Sequence, residues 1–391
     1  MGASTVGQSM LATSVPLFAV ALGLAPVWVG ALVALPNALP VVLAMTAGRW
    51  IDRGGPGRWL AVGAGGMAAA PLMLVLVPSA PALALVQLLL GVFRLFAALA
   101  SQSFVADLGG GRALERNYAT YATLLSAGRL AGPLVAGVAI DAAGFRAAFG
   151  VAGAVTVLTF ALAWRIRGAV GPAAAAPPTP AGDEPVGPAP VAVGRFGARE
   201  ALANVGVQLA VLSSAGVFVA ISVRQAFLPV ALQELGYPAT TIGALISLGA
   251  LAAVLVRPLM PVVSRALGGP ARTLVVAMLA VAVAVAGLGL VTSLPAFALL
   301  GVLAGFGTGV GLPLSIVTVA SHVDARHRGT ALGLRLSLNR AAQLAMPVAI
   351  GAVIGAAGFG VGFGLAGALL AALALAAAGR VTAFERRAPP D

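Results

Sequence analysis

The sequence predicts an all-α membrane protein with twelve transmembrane helices, arranged as two related six-helix bundles. Three observations lead to this fold class: the composition of the chain, its division into apolar segments, and an internal repeat. Of the 391 residues, 60% are hydrophobic and only 9% are charged, whereas a soluble domain carries about 45–50% apolar and about 25% charged residues. This composition excludes a water-soluble enzyme, a fibrous protein and a disordered chain.

Hydropathy divides the chain into twelve apolar segments. One membrane crossing takes about 20 apolar residues, and each segment has about that length, with very short turns such as Leu24–Pro26 between several of them. Segments one to twelve cover residues 5–24, 27–48, 59–78, 82–106, 118–140, 147–165, 203–232, 240–264, 273–292, 295–320, 329–355 and 360–379.

A proline-rich stretch separates segments six and seven. Residues 168–199 contain the run Ala173–Pro180 and further prolines, a composition that builds neither a helix core nor a sheet. We expect a flexible cytoplasmic linker there, between a first bundle at 1–167 and a second at 200–380. A cytoplasmic tail follows at 381–391.

The basic residues indicate the orientation of the chain. All 23 are arginines, and most lie in the loops and tails that are cytoplasmic if both termini are inside, whereas the opposite loops hold only Arg146. The positive-inside rule therefore predicts cytoplasmic termini and a multi-pass protein of the plasma or inner membrane. Because topology explains the pI near 11.7, nucleic-acid binding is not expected.

Missing residue types exclude several kinds of chemistry. The chain has neither cysteine nor lysine, which excludes a thiol nucleophile, a thiolate metal site, a Walker-A loop and a Schiff base. A membrane-embedded enzyme such as a lipid transferase would need a nucleophile, a metal cluster or an acid–base pair within the segments, and none is visible. We therefore expect no catalytic activity, no metal and no other cofactor, and transport would have to use a gradient or a partner chain.

The two halves of the chain repeat one another. Three motifs recur at offsets of 213, 214 and 214 residues, starting at Gly30 and Gly243, at Gly54 and Gly268, and at Ala143 and Ala357. An even number of helices in each half makes the repeat parallel, with its axis along the membrane normal. The cleft between the halves is then the expected path of the substrate.

The loop between segments two and three carries the most specific motif. It reads Gly48-Arg49-Trp50-Ile51-Asp52-Arg53-Gly54-Gly55-Pro56-Gly57-Arg58 and resembles the G-x-x-x-D-R-x-G-R-R loop of the major facilitator superfamily, slightly lengthened by Pro56-Gly57. The likeness covers essentially the whole chain. It implies that Asp52 meets the N-terminus of segment eleven and latches the cytoplasmic side, with Gly48, Arg53 and Arg58 in the same gate. The alternative is a solvated acid paired with Arg53 or Arg116.

Segment five carries a second family motif. Residues 128–137 are similar to the G-x-x-x-G-P-x-x-G-G signature of the family's antiporters, with Ala136 in place of one glycine. This small-residue, kinked face allows close helix packing, and the likeness favours export or exchange. The matching residues are Gly128, Gly132, Pro133 and Gly137.

Segment four departs from the family's proton-linked drug exporters. These usually place an arginine four residues before a glycine, and the residue four before Gly91 here is Gln87. The departure weakens the prediction of proton-coupled drug antiport.

Six arginines lie within the apolar segments, whereas acidic residues occur only near segment ends. Each central arginine costs about 2.5–3.5 kcal/mol on the insertion scale, so each needs a wet cavity, an interface or an anion. The six are Arg94, Arg129, Arg224, Arg257, Arg335 and Arg340.

Counting residues along each segment separates these arginines by depth. Arg94, Arg129 and Arg340 fall near the midplane, the last two at equivalent positions of the two halves, and a guanidinium binds carboxylate or phosphate bidentately. Arg257 and Arg335 lie nearer the cytoplasm, where they are expected to snorkel, to bind helix carbonyls or to gate the halves. The full expected binding set is Arg94, Arg129, Arg340, Arg224 (as an outer contact), Gln87, Asn339 and Gln343.

These features predict a secondary active transporter that moves a small organic anion by alternating access, through exchange or with protons. The alternative is a multidrug or natural-product efflux antiporter, favoured by the segment-five motif and the apolar content. A receptor that kept this fold is left open. The expected partners are an anionic small molecule, the lipid bilayer, and protons or a counter-anion, and the chain is expected to act as a monomer.

Overall fold

The computed structural model describes residues 2–107, 111–166, 204–322 and 328–386. These residues form helices joined by short turns, and no strand occurs among them, which confirms the all-α prediction for the part described. The predicted linker at 168–199 lies outside the described residues, so the domain boundaries there remain a prediction.

Twelve helices and two short 3-10 turns follow one another along the described chain. They are α1 (Gly2–Ala21), α2 (Pro26–Ala34), the turn Leu35–Asn37, α3 (Ala38–Gly54), α4 (Pro56–Leu76), α5 (Ala80–Asp107), α6 (Gly111–Ile166), α7 (Val205–Glu234), α8 (Ala239–Leu255), the turn Arg257–Leu259, α9 (Met260–Ala266), α10 (Pro270–Gly287), α11 (Leu294–His322) and α12 (Arg328–Glu385).

Helices and membrane crossings do not correspond one to one. Helices α2 and α3 run end to end across the turn Leu35–Asn37, and α8 and α9 across Arg257–Leu259. Each turn contains a proline, Pro36 or Pro258, which lacks the N–H that would continue the helical hydrogen bonding. The second segment and the eighth are therefore bent rather than straight.

The two longest helices each contain one break. Helix α6 breaks at Gly144 (φ 77°, ψ −178°) and α12 at Gly358 (φ 80°, ψ 172°). A Cβ at either glycine would meet no atom within 4 Å, so the positive φ, rather than lack of space, calls for glycine here. The repeated Ala-Gly-Phe motif thus marks the same joint in both halves.

Nine stretches of the described chain are long and apolar enough to cross a membrane. Two of them, Ala119–Arg165 and Gly333–Glu385, are 47 and 53 residues long and contain the joints at Gly144 and Gly358. The chain is therefore a multi-pass membrane protein. The count of twelve crossings and the side on which the termini lie remain predictions.

The helices pack into two lobes. In the first lobe α1 packs along α6, and α4 packs against α5 and α6. In the second lobe α7 packs along α12, and α10 packs against α11 and α12. Gly128 and Gly132 of α6 form the close contact with α1, because a Cβ on either would clash with Thr5 or Ser9.

Two extensive contacts join the lobes, and we call them the α6–α8 seam and the α2–α12 seam. They are built alike. A methyl group on Gly243 would clash with the Pro133 carbonyl, and one on Gly30 would clash with the Pro347 carbonyl. The residues correspond at the repeat offsets of 213 and 214, so the repeat is preserved in the contact between the lobes.

Gly137 and its equivalent in the second half, Gly351, extend the same packing to the first residues of α8 and α2. Gly137 lies against the Ala239 carbonyl, and Gly351 lies against the Pro26 carbonyl. Gly137 of the predicted antiporter-like motif therefore contacts the opposite lobe, whereas Gly128 and Gly132 stay within their own.

Candidate functional site

The site begins with a proline in the second apolar segment. Because Pro36 has no N–H, the carbonyl of Leu32, four residues earlier, loses its helical partner. The Gln87 Nε2 of α5 donates to that Leu32 oxygen at 3.0 Å, and the Gln87 side chain is only 7% exposed. Gln87, expected to bind substrate, thus also completes the hydrogen bonding of the bent segment.

Helix α5 approaches the same turn closely at Gly91, where a Cβ would clash with the Pro36 carbonyl. Arg94 lies one turn further along α5 and therefore beside Asn37, the residue after Pro36. Its Nη2 makes a long hydrogen bond, 3.5 Å, to the Asn37 Oδ1. The proline and the glycine together set the position of this guanidinium.

A second guanidinium reaches the same oxygen from the other lobe. The Arg340 Nη1 of α12 donates to the Asn37 Oδ1 at 2.7 Å. Arg94 and Arg340 therefore meet at a single neutral acceptor, within electrostatic range of each other. Among the described residues the one ion pair is between Arg272 and Glu385, so neither guanidinium has an acidic partner there.

A cavity lies beside Arg94 and between the lobes. Its polar lining comes from α1, α5 and α7, and Pro36 and apolar side chains complete it. The lining residues are Gln8, Leu11, Ala12, Pro36, Gln87, Leu90, Arg94 and Gln225.

Arg129 of α6 is exposed and does not line this cavity. It lies within electrostatic range of Arg94 and Arg257. The predicted equivalence of Arg129 with Arg340 is wrong by three residues, because the Pro133 and Pro347 contacts fix an offset of 214. Arg129 corresponds to Gln343 in that register.

Two predicted binding residues lie inside the second lobe instead. Asn339 is 1% exposed, and its Oδ1 accepts a hydrogen bond from the Ser214 Oγ at 3.0 Å. Arg224 lies between α7 and α8, its Nη2 3.3 Å from where a Cβ on Gly249 would be, and its buried Nε has no hydrogen-bond partner. The structure thus turns both away from the cavity lining.

Gln343 does not reach the cavity either, since its Nε2 donates to the Asn339 backbone oxygen of its own helix at 3.2 Å. The three binding residues expected on segment eleven therefore have different surroundings. Asn339 faces the interior of its lobe, Gln343 bonds its own helix, and Arg340 alone reaches Asn37.

The two arginines expected to gate the halves have different surroundings. The Arg257 Nη1 donates to the Ser126 Oγ at 3.2 Å, a contact between the lobes. Arg335 is 4% exposed, and its Nη2 donates to the Ser315 Oγ at 2.6 Å inside the second lobe. The expectation that Arg335 snorkels is therefore wrong, because its guanidinium is held by α11.

The joint between α3 and α4 contains the predicted cytoplasmic gate. Gly48 is open on its Cβ side, and Arg53 and Arg58 are exposed. The side chain of Asp52 lies outside the described part of the structure, so its latch remains a prediction. The joint is held by Trp59, whose Nε1 donates to the Trp50 carbonyl at 2.7 Å.

Sequence reasoning missed four residues at the cavity and the seams. Asn37 is a polar side chain next to a proline within an apolar segment, and this combination could have identified it as a candidate site residue. Gln8 and Gln225 are likewise polar side chains within the first and seventh apolar segments. No sequence signal marked Asp141, whose Oδ1 and Oδ2 accept hydrogen bonds from the backbone N–H groups of Ala239 (3.0 Å) and Thr240 (2.7 Å) at the start of α8.

Comparison with known proteins agrees with this architecture. The family model described as Major Facilitator Superfamily matches residues 1–290 and 210–391, whereas no curated protein sequence matches the chain.

Solved transporters share the fold at low sequence identity. An inward-facing, occupied bacterial homologue of the human lysosomal transporter Spinster matches with a TM-score of 0.74 and 14% identity, over 99% of this chain and 94% of its own. The nucleoside transporter NupG gives 0.76 and 14%, over 97% and 96%. A POT family transporter in complex with 5-aminolevulinic acid gives 0.76 and 13%, over 98% and 94%. The chain belongs to the major facilitator superfamily of membrane transporters.

Proposed function

We propose that this protein is a secondary active transporter that moves a small organic anion across the membrane by alternating access. One observation carries the proposal: a guanidinium from each lobe reaches the same neutral oxygen, Asn37 Oδ1, beside the cavity between the lobes. None of the described cavity-lining residues is acidic. A carboxylate or phosphate that enters would gain charge-assisted hydrogen bonds that the amide cannot match.

The position of the two guanidinium groups also suggests how binding would be linked to movement. Arg94 belongs to the first lobe and Arg340 to the second, so an anion held by both would draw the lobes together. Separation of the lobes would divide the site and weaken binding. This is the behaviour that alternating access requires of a site at the interface of two repeats.

Several finer features belong to the same proposal. We propose twelve crossings, with α6 and α12 each crossing twice about Gly144 and Gly358, cytoplasmic termini, a plasma or inner membrane location and a monomeric carrier. Coupling would use a counter-anion or protons, and Asp52 would close the cytoplasmic side.

The proposal is tested with purified protein in detergent and in proteoliposomes. A thermal-shift screen of small carboxylates, inorganic phosphate and cationic drugs should show stabilisation by anions, and the best anion is then used for tracer flux. Arg94→Gln and Arg340→Gln should each lower that flux at least about tenfold, since each removes a charged contact. Arg272→Gln, on the surface, is the control; unchanged flux in both cavity variants would refute the site.

A second candidate function is efflux of drugs or natural products. It is favoured by the antiporter-like residues of α6, of which Gly128 and Gly132 pack against α1 and Gly137 packs against α8. This function predicts resistance to unrelated compounds on overexpression, with little sensitivity to Arg94 and Arg340. Solved transporters with this fold include a nucleoside transporter, a peptide transporter and a transporter in complex with 5-aminolevulinic acid, so the fold alone does not choose between the candidates.

A further inference from the structure

The polar groups of the cavity are of two kinds. Arg94 supplies donors only, because a guanidinium has no acceptor. Gln8, Gln87 and Gln225 come from three helices and from both lobes, and each side-chain amide has an acceptor oxygen as well as donor N–H groups.

The hydrogen bond of Gln87 determines which end of its amide is left for a ligand. The Leu32 carbonyl can only accept, so it must face the Nε2, and it does so at 3.0 Å. No hydrogen bond to the Gln87 Oε1 is found within the described residues, although the side chain is buried and lines the cavity. Gln87 therefore presents an acceptor.

The Gln8 amide is oriented in a similar way, with its N–H group towards the protein. Its Nε2 lies 4.0 Å from the Met67 Sδ, a weak acceptor, and no hydrogen bond to its Oε1 is found in the described part of the chain. Gln225 is exposed on α7 and lines the same cavity. The lining thus combines a cation with the Gln87 amide oxygen, which has no donor among the described residues, and with two further glutamine amides.

We infer that the cargo is a hydroxylated carboxylate, such as a hydroxy acid or sugar acid, whose carboxylate faces the arginines and whose hydroxyl groups donate to the glutamines. The inference rests on the proposed anion transport and narrows its substrate class. A plain alkyl carboxylate would leave the amide oxygens unpaired once water is expelled, and sites built to bond a hydroxyl strongly reject analogues that lack it. An ammonium group could also donate, but it would face Arg94 and Arg340 with no acidic residue in the described lining.

The test uses matched acids of equal charge: gluconate against hexanoate, malate against succinate, and lactate against propionate. Binding to the intact purified protein is followed by thermal shift, and uptake by competition in proteoliposomes. We expect the hydroxylated member to bind at least about tenfold more tightly in one or more pairs. Gln8→Met and Gln225→Met keep the side-chain length, and each should reduce the preference for the hydroxylated member at least about threefold.

Gln102→Met is the control, because Gln102 is exposed about two turns beyond Arg94 on α5. Equal binding of both members in every pair, or a preference that survives in both glutamine variants, would overturn the inference and leave anion transport standing. If folded protein bound none of the six acids and no phosphate, the proposed function itself would fail. Gln87 is left unchanged, since removing its amide would also leave the Leu32 carbonyl without a partner.

Discussion

The two seams between the lobes have the same packing but different polar contacts. In each seam a glycine of the shorter partner lies against a proline carbonyl of the longer one, Gly243 on Pro133 and Gly30 on Pro347. The α6–α8 seam has hydrogen bonds along its whole length: from the Ala239 N–H to Asp141, from the Ser247 Oγ to the Leu130 oxygen at 2.6 Å, and from Arg257 to Ser126.

The α2–α12 seam is different in the described residues. Its side-chain hydrogen bond is the one from Arg340 to Asn37, which lies next to the cavity. Gly355, the equivalent of Asp141 at the repeat offset of 214, has no carboxylate to offer and lies near the Pro26 ring. The comparison teaches that one copy of the repeated contact joins the lobes by several hydrogen bonds, while the other places Arg340 against Asn37 beside the cavity.

Two variants that place a carboxylate in each seam should separate these roles, and one of them has the largest expected effect. Asn37→Asp would put a charge between Arg94 and Arg340, and an internal ion pair should compete with the cargo and lower anion affinity at least about 100-fold. Ser126→Asp would pair with Arg257 and should leave affinity within about threefold. The affinities are measured by anion-dependent thermal shift; similar losses in both variants would show that the seams do not differ as described.

Packing should matter equally in the two seams. Gly30→Ala and Gly243→Ala each force a methyl group against a carbonyl, so we expect each to lower stability by about 1–3 kcal/mol. Thermal midpoints in detergent compare them with Gly364→Ala, which has open space around its Cβ and should be neutral or slightly stabilising. A clear difference between the two seam variants would break the symmetry inferred from their contacts.

The smallest effect concerns Asp141. Asp141→Asn removes the charge at the start of α8, and the residue is exposed, so we expect the packed α6–α8 seam to lose about 1 kcal/mol, which raises the population of separated lobes roughly fivefold. Because the chain lacks cysteine, spin labels on Ala142→Cys and Leu235→Cys can report the distance between the lobes without background. Arg146→Gln is the control. An unchanged distance distribution in Asp141→Asn would show that Asp141 does not hold the α6–α8 seam together.

Much of the architecture could be predicted because the physical signals are strong. The bilayer sets segment length, and the repeated glycine motifs identify structurally equivalent positions, as the joints at Gly144 and Gly358 show. The residue-level assignments were harder. Apolar segments tolerate polar side chains wherever lipid is absent, and lipid is absent both at a cavity and between packed helices. The sequence therefore did not distinguish Arg340, which reaches Asn37 of the other lobe, from Asn339 and Arg335 inside their own lobe.

The shared acceptor was missed for a related reason. A straight helix through residues 27–48 would place Asn37 by simple periodicity, but the 3-10 turn at Pro36 changes the direction in which the next side chain points. The partner of Asn37 also depends on which helix the other lobe presents, and no spacing within one segment contains that information. The same limit applies to estimating depth by counting residues along a segment. That count paired Arg129 with Arg340, whereas its equivalent in the structure is Gln343, about one helical turn further along.

The single Asn37 oxygen has a consequence for the speed of turnover. Arg94 and Arg340 share the Asn37 oxygen as an acceptor, so in the proposed transport an entering anion would replace that oxygen instead of satisfying bare charges. Its net gain would be the difference between the two sets of contacts. The Asn37 amide would accept hydrogen bonds from the two guanidinium groups again as the cargo leaves, and this exchange would shorten the residence time of each bound molecule.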